Sequence, residues 1–138
     1  MNETMLKAFT ILLVEDDPDD EHLIRRALSK FGSGAAVNVV RDGQEALDIL
    51  LCPHAGLPSL VLLDIRLPKI SGPDVLAALR QNRKTVDLPV IVLNSSYEPD
   101  DIRSSYEPFA HGSIRKPVDF VELKDLLASL GIWSPKVD

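Results

Sequence analysis

The chain has 138 residues, 45% of them hydrophobic, which suits one compact domain with one core and leaves no room for a second of ordinary size. A net charge of −6 and a pI near 5.0, with basic residues dispersed in pairs at most, exclude the clustered Lys and Arg that a nucleic-acid surface needs. The single cysteine, Cys52, excludes an internal disulfide and any CxxC site, and no apolar run approaches the ~20 residues that span a bilayer, so a soluble cytoplasmic protein without membrane contact is expected.

The first apolar run is Ile11 to Val14, too short for a helix and without polar alternation, the pattern of a strand covered on both faces. Asp17-Pro18 follows, where Asp can cap and Pro suits the first helical position, with Asp19, Asp20 and Glu21 at the positive end of the helix dipole. Leu23, Ile24, Ala27, Leu28 and Phe31 make the apolar stripe of that helix. A weaker strand spans Ala36 to Arg41, then a helix carries Ala46, Leu47, Leu50 and Leu51. Leu60 to Leu63 is the third strand, and Val75, Leu76 and Leu79 mark a helix after Gly72-Pro73. Val90 to Leu93 is the fourth strand. The segment Tyr97 to Phe109 is the poorest helix, since Pro99 falls in its first turn and Pro108 ends it, leaving about two turns. A weak fifth strand from Gly112 to Lys116 precedes the last helix, opened by Asp119 with Glu122 three residues on. Strands alternating with helices predict a doubly wound α/β sandwich around a parallel sheet.

In such sheets ligands sit at the carboxyl ends of the strands. Reading the residues there gives Glu15-Asp16-Asp17, then Asp64, then Asn94-Ser95-Ser96, then Lys116. Adjacent carboxylates repel, so a divalent cation is needed unless one of them takes up a proton. Magnesium suits this all-oxygen set, while His22, His54 and His111 are scattered and lack ligand spacing. Glu15, Asp16 and Asp64 carry three negative charges, and Mg²⁺ with Lys116 carries three positive ones, which leaves a neutralised pocket for an incoming phosphoryl group.

These residues resemble the receiver domain of two-component response regulators. Val14-Glu15-Asp16 is similar to its acidic pair, Leu62-Leu63-Asp64 to its phosphoacceptor, Leu67 to Gly72 to the loop that follows, and Lys116-Pro117 to its lysine with a cis peptide bond. The resemblance runs from residue 10 to 130, with tails at 1–9 and 131–138. It implies a flavodoxin-like (βα)5 fold, a five-stranded parallel sheet in the order 2-1-3-4-5. It implies that Asp64 accepts a phosphoryl group from a histidine kinase, and that Asp16, Asp64 and the backbone carbonyl of Arg66 ligate Mg²⁺, with Mn²⁺ as a substitute. Glu15 would act through a metal-bound water, Lys116 would pair with the acyl phosphate or with Asp64, and Asp17 would serve as a helix cap. The opening Val14 to Pro18 and the long segment before Pro58 look closest to single-domain regulators that accompany bacterial phytochromes. A histidine kinase of that kind or a phosphotransfer protein is then the expected partner, output is by protein contact, and a homodimer stays open. No turnover is expected beyond self-phosphorylation and autodephosphorylation.

Two positions depart from the family. Thirty residues after Asp64, where a Thr or Ser hydroxyl bonds the phosphoryl oxygen, stands Asn94, and three residues before Lys116, where an aromatic ring turns inward, stands Ser113. Asn94 can still donate from its amide, and Ser95 adjoins it. A switch would have to use the loop from Asn94 to Tyr97, with Tyr97 or Tyr106 either as the mobile ring or as ordinary half-exposed helix residues. Arg66 and Ser96 resemble the positions that flank the path of the hydrolytic water. Trp133 either anchors a dimer or covers the last helix. Haloacid-dehalogenase-like phosphatase chemistry is set aside, because Arg66 stands where a second Asp is required, and serine-hydrolase chemistry because no Gly-x-Ser-x-Gly elbow is present. The alternative is a receiver-fold binding module whose contacts do not depend on phosphorylation.

Overall fold

The computed structural model describes residues 9–95 and 99–133. Strands β1 (Phe9–Val14), β2 (Ala35–Val40), β3 (Leu60–Asp64), β4 (Val90–Asn94) and β5 (Gly112–Arg115) form one sheet in the order β2-β1-β3-β4-β5, every neighbouring pair parallel. Helices α1 (Pro18–Leu28), α2 (Gly43–Leu50), α3 (Gly72–Arg80), α4 (Asp100–Tyr106) and α5 (Phe120–Ser129) connect them, with 3-10 turns at Ser29–Gly34 and Glu107–Phe109. The expected architecture and strand order are both observed. Among the described residues no helix is long and apolar enough to cross a membrane.

The unbroken apolar runs have a simple cause. Successive strand residues point to opposite faces, and both faces are covered. Ile11, Leu13, Leu60, Leu62, Ile91 and Leu93 meet Ile24 and Leu28 of α1 and Leu123 and Leu127 of α5. Leu12, Val14, Val61, Leu63, Val90 and Val92 meet Ala46 and Leu50 of α2, Val75, Leu76 and Leu79 of α3, and Tyr106 of α4. The edge strand β2 is buried only at Val40, which explains its weaker signal.

Helix starts follow the local chemistry. Asp17 Oδ1 accepts the Asp19 and Asp20 amides at 2.8 and 3.4 Å, Ser71 caps α3, and Asp119 caps α5. Helix α4 has seven residues, about two turns as expected, although Pro99 is its N-cap rather than part of its first turn. Three apolar residues fall outside the anticipated pattern or resolve it. Leu23 is half exposed, because it lies off the buried side of α1 beside Ile24, and Leu130 is exposed at the end of α5. Trp133 packs edge-on against Phe31 with centroids 5.0 Å apart, and Phe31 likewise against Phe120 at 4.9 Å, so the ring covers the α1 and α5 ends of its own domain.

Because all strands run the same way, their carboxyl ends share one rim. The chain leaving β3 there is held closely by α3. A β-carbon on Gly72 would lie 2.8 Å from Ile65 Cα and 2.9 Å from the Asp64 carbonyl oxygen, so only glycine lets the helix approach the loop that carries Asp64.

Candidate functional site

A cleft of about 300 Å³ opens at this rim, lined by Glu15, Asp16 and Asp17 after β1, Asp20 on α1, Asp64 to Arg66 after β3, Asn94 and Ser95 after β4, and Lys116 after β5. The Lys116-Pro117 peptide is cis. One ligand oxygen from each of Glu15, Asp16 and Asp64 can be chosen so that all lie within 4.8 Å of one another, the one such group of His, Cys, Asp and Glu among the described residues. Three carboxylate oxygens at that spacing, with no sulfur or imidazole, fit a hard divalent cation of the magnesium type. Asp16 is exposed while Glu15 and Asp64 are buried, so the cluster faces solvent on one side only.

Lys116 is the hub of the charge arrangement. Its Nζ donates to Glu15 Oε1 at 2.8 Å, Asp20 Oδ2 at 3.0 Å and Asp64 Oδ2 at 3.1 Å. The other oxygen of Asp64 accepts the Arg66 backbone N–H at 3.0 Å, and the second oxygen of Glu15 accepts the Asp17 N–H at 3.2 Å. Burial pushes the Glu15 carboxyl up to about 7, helped by the neighbouring Asp64 and opposed by Lys116. Burial alone would lower Lys116, but its bonds to Glu15 and Asp20 outweigh that and hold its pKa above the ordinary lysine value. The ammonium is therefore a fixed positive charge beside the buried Glu15 carboxyl.

The topology thus brings together Glu15, Asp16, Asp64, Asn94, Ser95 and Lys116, as the chain order at the strand ends anticipated. Arg66 lines the same cleft with an exposed side chain. Ser96 and Tyr97 lie outside the described residues. Ser113 is exposed on β5 and faces a separate groove shared with Asn94, Arg103 and Arg115.

Two participants are new relative to the sequence reading. Asp20, read as a helix-dipole residue, reaches Lys116. Its signal was its place in the first turn of a helix that begins directly behind the acidic pair. Tyr106, read either as a mobile ring or as half exposed, is fully buried, and its hydroxyl accepts from Asn94 Nδ2 at 2.9 Å. The half-exposed reading fails for this residue because the last turn of α4 is packed against β4.

Residues 11–128 match the response regulator receiver domain family. Among solved structures, the bacteriophytochrome response regulator AtBRR superposes with a TM-score of 0.83 at 36% identity, covering 95% of this chain and 98% of that one. The Mn²⁺-bound response regulator Rcp1, a Synechocystis protein, gives 0.68 at 35% identity over 88% of each chain. The phosphorylated cyanobacterial phytochrome response regulator RcpA gives 0.72 at 36% identity over 91% of each. Together with the strand order and the acidic rim, these likenesses establish that the chain belongs to the response regulator receiver domain family of two-component signalling.

Proposed function

We propose that the chain accepts a phosphoryl group on Asp64 from a phosphohistidine of a partner kinase, in a Mg²⁺-dependent reaction, and signals by protein contact. The observation that carries this reading is the triple grip of Lys116 on Glu15, Asp20 and Asp64 beside the Glu15, Asp16 and Asp64 oxygen cluster. A carboxylate held this way is oriented, desolvated on one side and flanked by a fixed cation. The likeness to a manganese-bound and to a phosphorylated relative supports both parts.

In the proposed transfer a carboxylate oxygen of Asp64 attacks phosphorus, the P–N bond to imidazole breaks, and its electron pair returns to the ring nitrogen, leaving an acyl phosphate. Bound Mg²⁺, or Mn²⁺ in its place, would neutralise phosphoryl charge, held by Asp16, Asp64 and the Arg66 carbonyl, with Glu15 behind a metal-bound water. Lys116 supplies the second positive charge, and the amide of Asn94 with the Ser95 hydroxyl supplies uncharged donors. The unit that does this spans residues 10–130, in the cytoplasm, with a histidine kinase, a bacterial phytochrome in particular, or a phosphotransfer protein as donor.

The test is incubation of the purified protein with Mg²⁺ and a small acyl-phosphate donor, read by intact mass. The expected result is a single phosphoryl adduct in the wild type, dependent on Mg²⁺ and absent from Asp64→Asn. No adduct, together with no shift in thermal stability from Mg²⁺ and beryllofluoride, would instead establish a binding module that works without phosphorylation.

A further inference from the structure

Asn94 occupies a position with one foot in each of two environments. It lines the cleft with Asp64 and Lys116, and its side-chain amide also reaches inward to Tyr106. Its backbone is pinned by the parallel register Asn94 to Arg115 and by the Lys116 N–H, which donates to the Asn94 carbonyl at 2.8 Å. With the backbone fixed beside Lys116, the turn of the amide about its own bond is the freedom that remains.

Tyr106 is the last residue of α4, has no exposed surface and packs in the cluster that contains Val90 and Val92 of β4. A buried phenol hydroxyl can donate one hydrogen bond and accept others, and a primary amide offers a donor end and an acceptor end. The pair can therefore bond in two ways. As observed, Asn94 Nδ2 donates to the hydroxyl. With the amide turned over, the hydroxyl donates to Oδ1 and the NH₂ group is released. Neither arrangement forfeits the buried bond, so the two differ by little until something enters the cleft. A phosphoryl group presents only acceptors, and selects the arrangement that directs NH₂ toward it.

We propose that Tyr106 is a positioning residue for the phosphoryl site: its buried hydroxyl holds the Asn94 amide and reverses its hydrogen bond when a phosphoryl group on Asp64 calls for the amide NH₂. This rests on the phosphorylation of Asp64 proposed above. It explains how an asparagine can stand where the family uses a hydroxyl. A hydroxyl rotates freely, whereas an amide must be turned, and a partner with both donor and acceptor capacity lets it turn without an unsatisfied buried group. It also ties the site to α4 from within the core, on the same face of the sheet as position 113, whose register partner Val92 packs in the cluster of Tyr106. An inward-turning ring at 113 is something Ser113 cannot provide.

The experiment is a double-mutant cycle on beryllofluoride affinity with Mg²⁺ present, using Tyr106→Phe, Asn94→Ala and the double variant, alongside intact-mass phosphorylation of each. Tyr106→Phe keeps the ring and removes one oxygen. The expected result is an affinity about three- to tenfold weaker, the effect of one neutral hydrogen bond, with an adduct still formed on Asp64. In the Asn94→Ala background the same substitution is expected to change affinity by less than about twofold, because Tyr106 acts through Asn94. Additive losses in the double variant, or unchanged affinity in Tyr106→Phe, would overturn the proposal. A second readout uses wild-type protein alone: the two Asn94 side-chain amide proton resonances are expected to exchange environments between the free and beryllofluoride-bound states, and unmoved resonances would also overturn it. If wild type forms no adduct and binds no beryllofluoride, the phosphorylation reading has failed and this one with it. A wild-type adduct with an additive cycle rejects the role of Tyr106 alone.

Discussion

Lys116 Nζ lies 2.8 Å from Oε1 of Glu15, a carboxylate with no exposed surface, and the pair joins the end of β5 to the end of β1 across the sheet. Removing the ammonium leaves Glu15 facing Asp64 with no counter-charge. Lys116→Met, similar in length and apolar, is expected to destabilise the protein by about 3 kcal/mol in the absence of divalent metal, the scale for breaking a buried pair. Millimolar Mg²⁺ should restore part of that loss, so the rise in Tm on adding Mg²⁺ will be larger in the variant than in wild type. Thermal melts with and without Mg²⁺ check this, and an equal or smaller rise in the variant would show that Lys116 and the cation do not share a charge-balancing role.

The close approach of Gly72 to the β3 loop predicts a sharp contrast between glycines. A β-carbon at Gly72 would meet three backbone atoms of Asp64 and Ile65 at 3.0 Å or less, whereas one at Gly56 would meet nothing within 4 Å. Gly72→Ala is expected to cost about 1–3 kcal/mol by overpacking, and to slow adduct formation because Asp64 must shift with its loop. Gly56→Ala should stay within about 0.5 kcal/mol of wild type. Urea unfolding of both variants with phosphorylation rates measured in parallel decides it.

His111 supplies the pH prediction. Its ring is exposed at one edge, but Nδ1 faces inward, 3.3 Å from the Val90 N–H and 3.4 Å from Arg80 Nη2. Arg80 is itself fixed there by the carbonyls of Phe109, Thr85 and Leu88 at 2.8–3.0 Å. Burial of that edge and the Arg80 charge hold the His111 pKa below its ordinary value, with Asp87 opposing. The unfolded chain therefore takes up this proton first as pH falls. The contribution of neutral His111 is complete above about pH 6.5 and is lost as pH drops through the folded-state pKa. His111→Asn keeps an acceptor for the Val90 N–H and cannot titrate. The loss of stability between pH 7.5 and 5.5, measured by urea midpoints, should be smaller in His111→Asn than in wild type, and equal losses would exclude the histidine as a contributor.

Much of this molecule is written locally. The runs Ile11 to Val14, Leu60 to Leu63 and Val90 to Leu93 announce strands buried on two faces, because no helix fits their length and no polar residue interrupts them. Asp17-Pro18 and Asp119 announce helix starts, because an N-cap needs only its own side chain and the next few amides. Strand and helix alternation then dictates a parallel sheet, and parallel strands place Glu15, Asp64, Asn94 and Lys116 on one rim. That much requires order along the chain and nothing of its three-dimensional detail.

What order along the chain could not settle is which side chains turn toward one another across elements. Asp20 reaches Lys116 only because the lysine side chain extends from the end of β5 across the rim to the start of α1, and an acid in a helix's first turn is equally at home facing solvent. Tyr106 reads as a half-polar residue on a two-turn helix between prolines, and its burial follows from the docking of α4 on β4. Leu23 and Leu130, apolar yet exposed, are the converse case. Backbone periodicity is a property of neighbouring residues, whereas the partner of a side chain's polar tip depends on the relative placement of elements far apart in the chain. The contacts of Asn94 with Tyr106 and of Lys116 with Asp20 and Glu15 are therefore set by the packed fold.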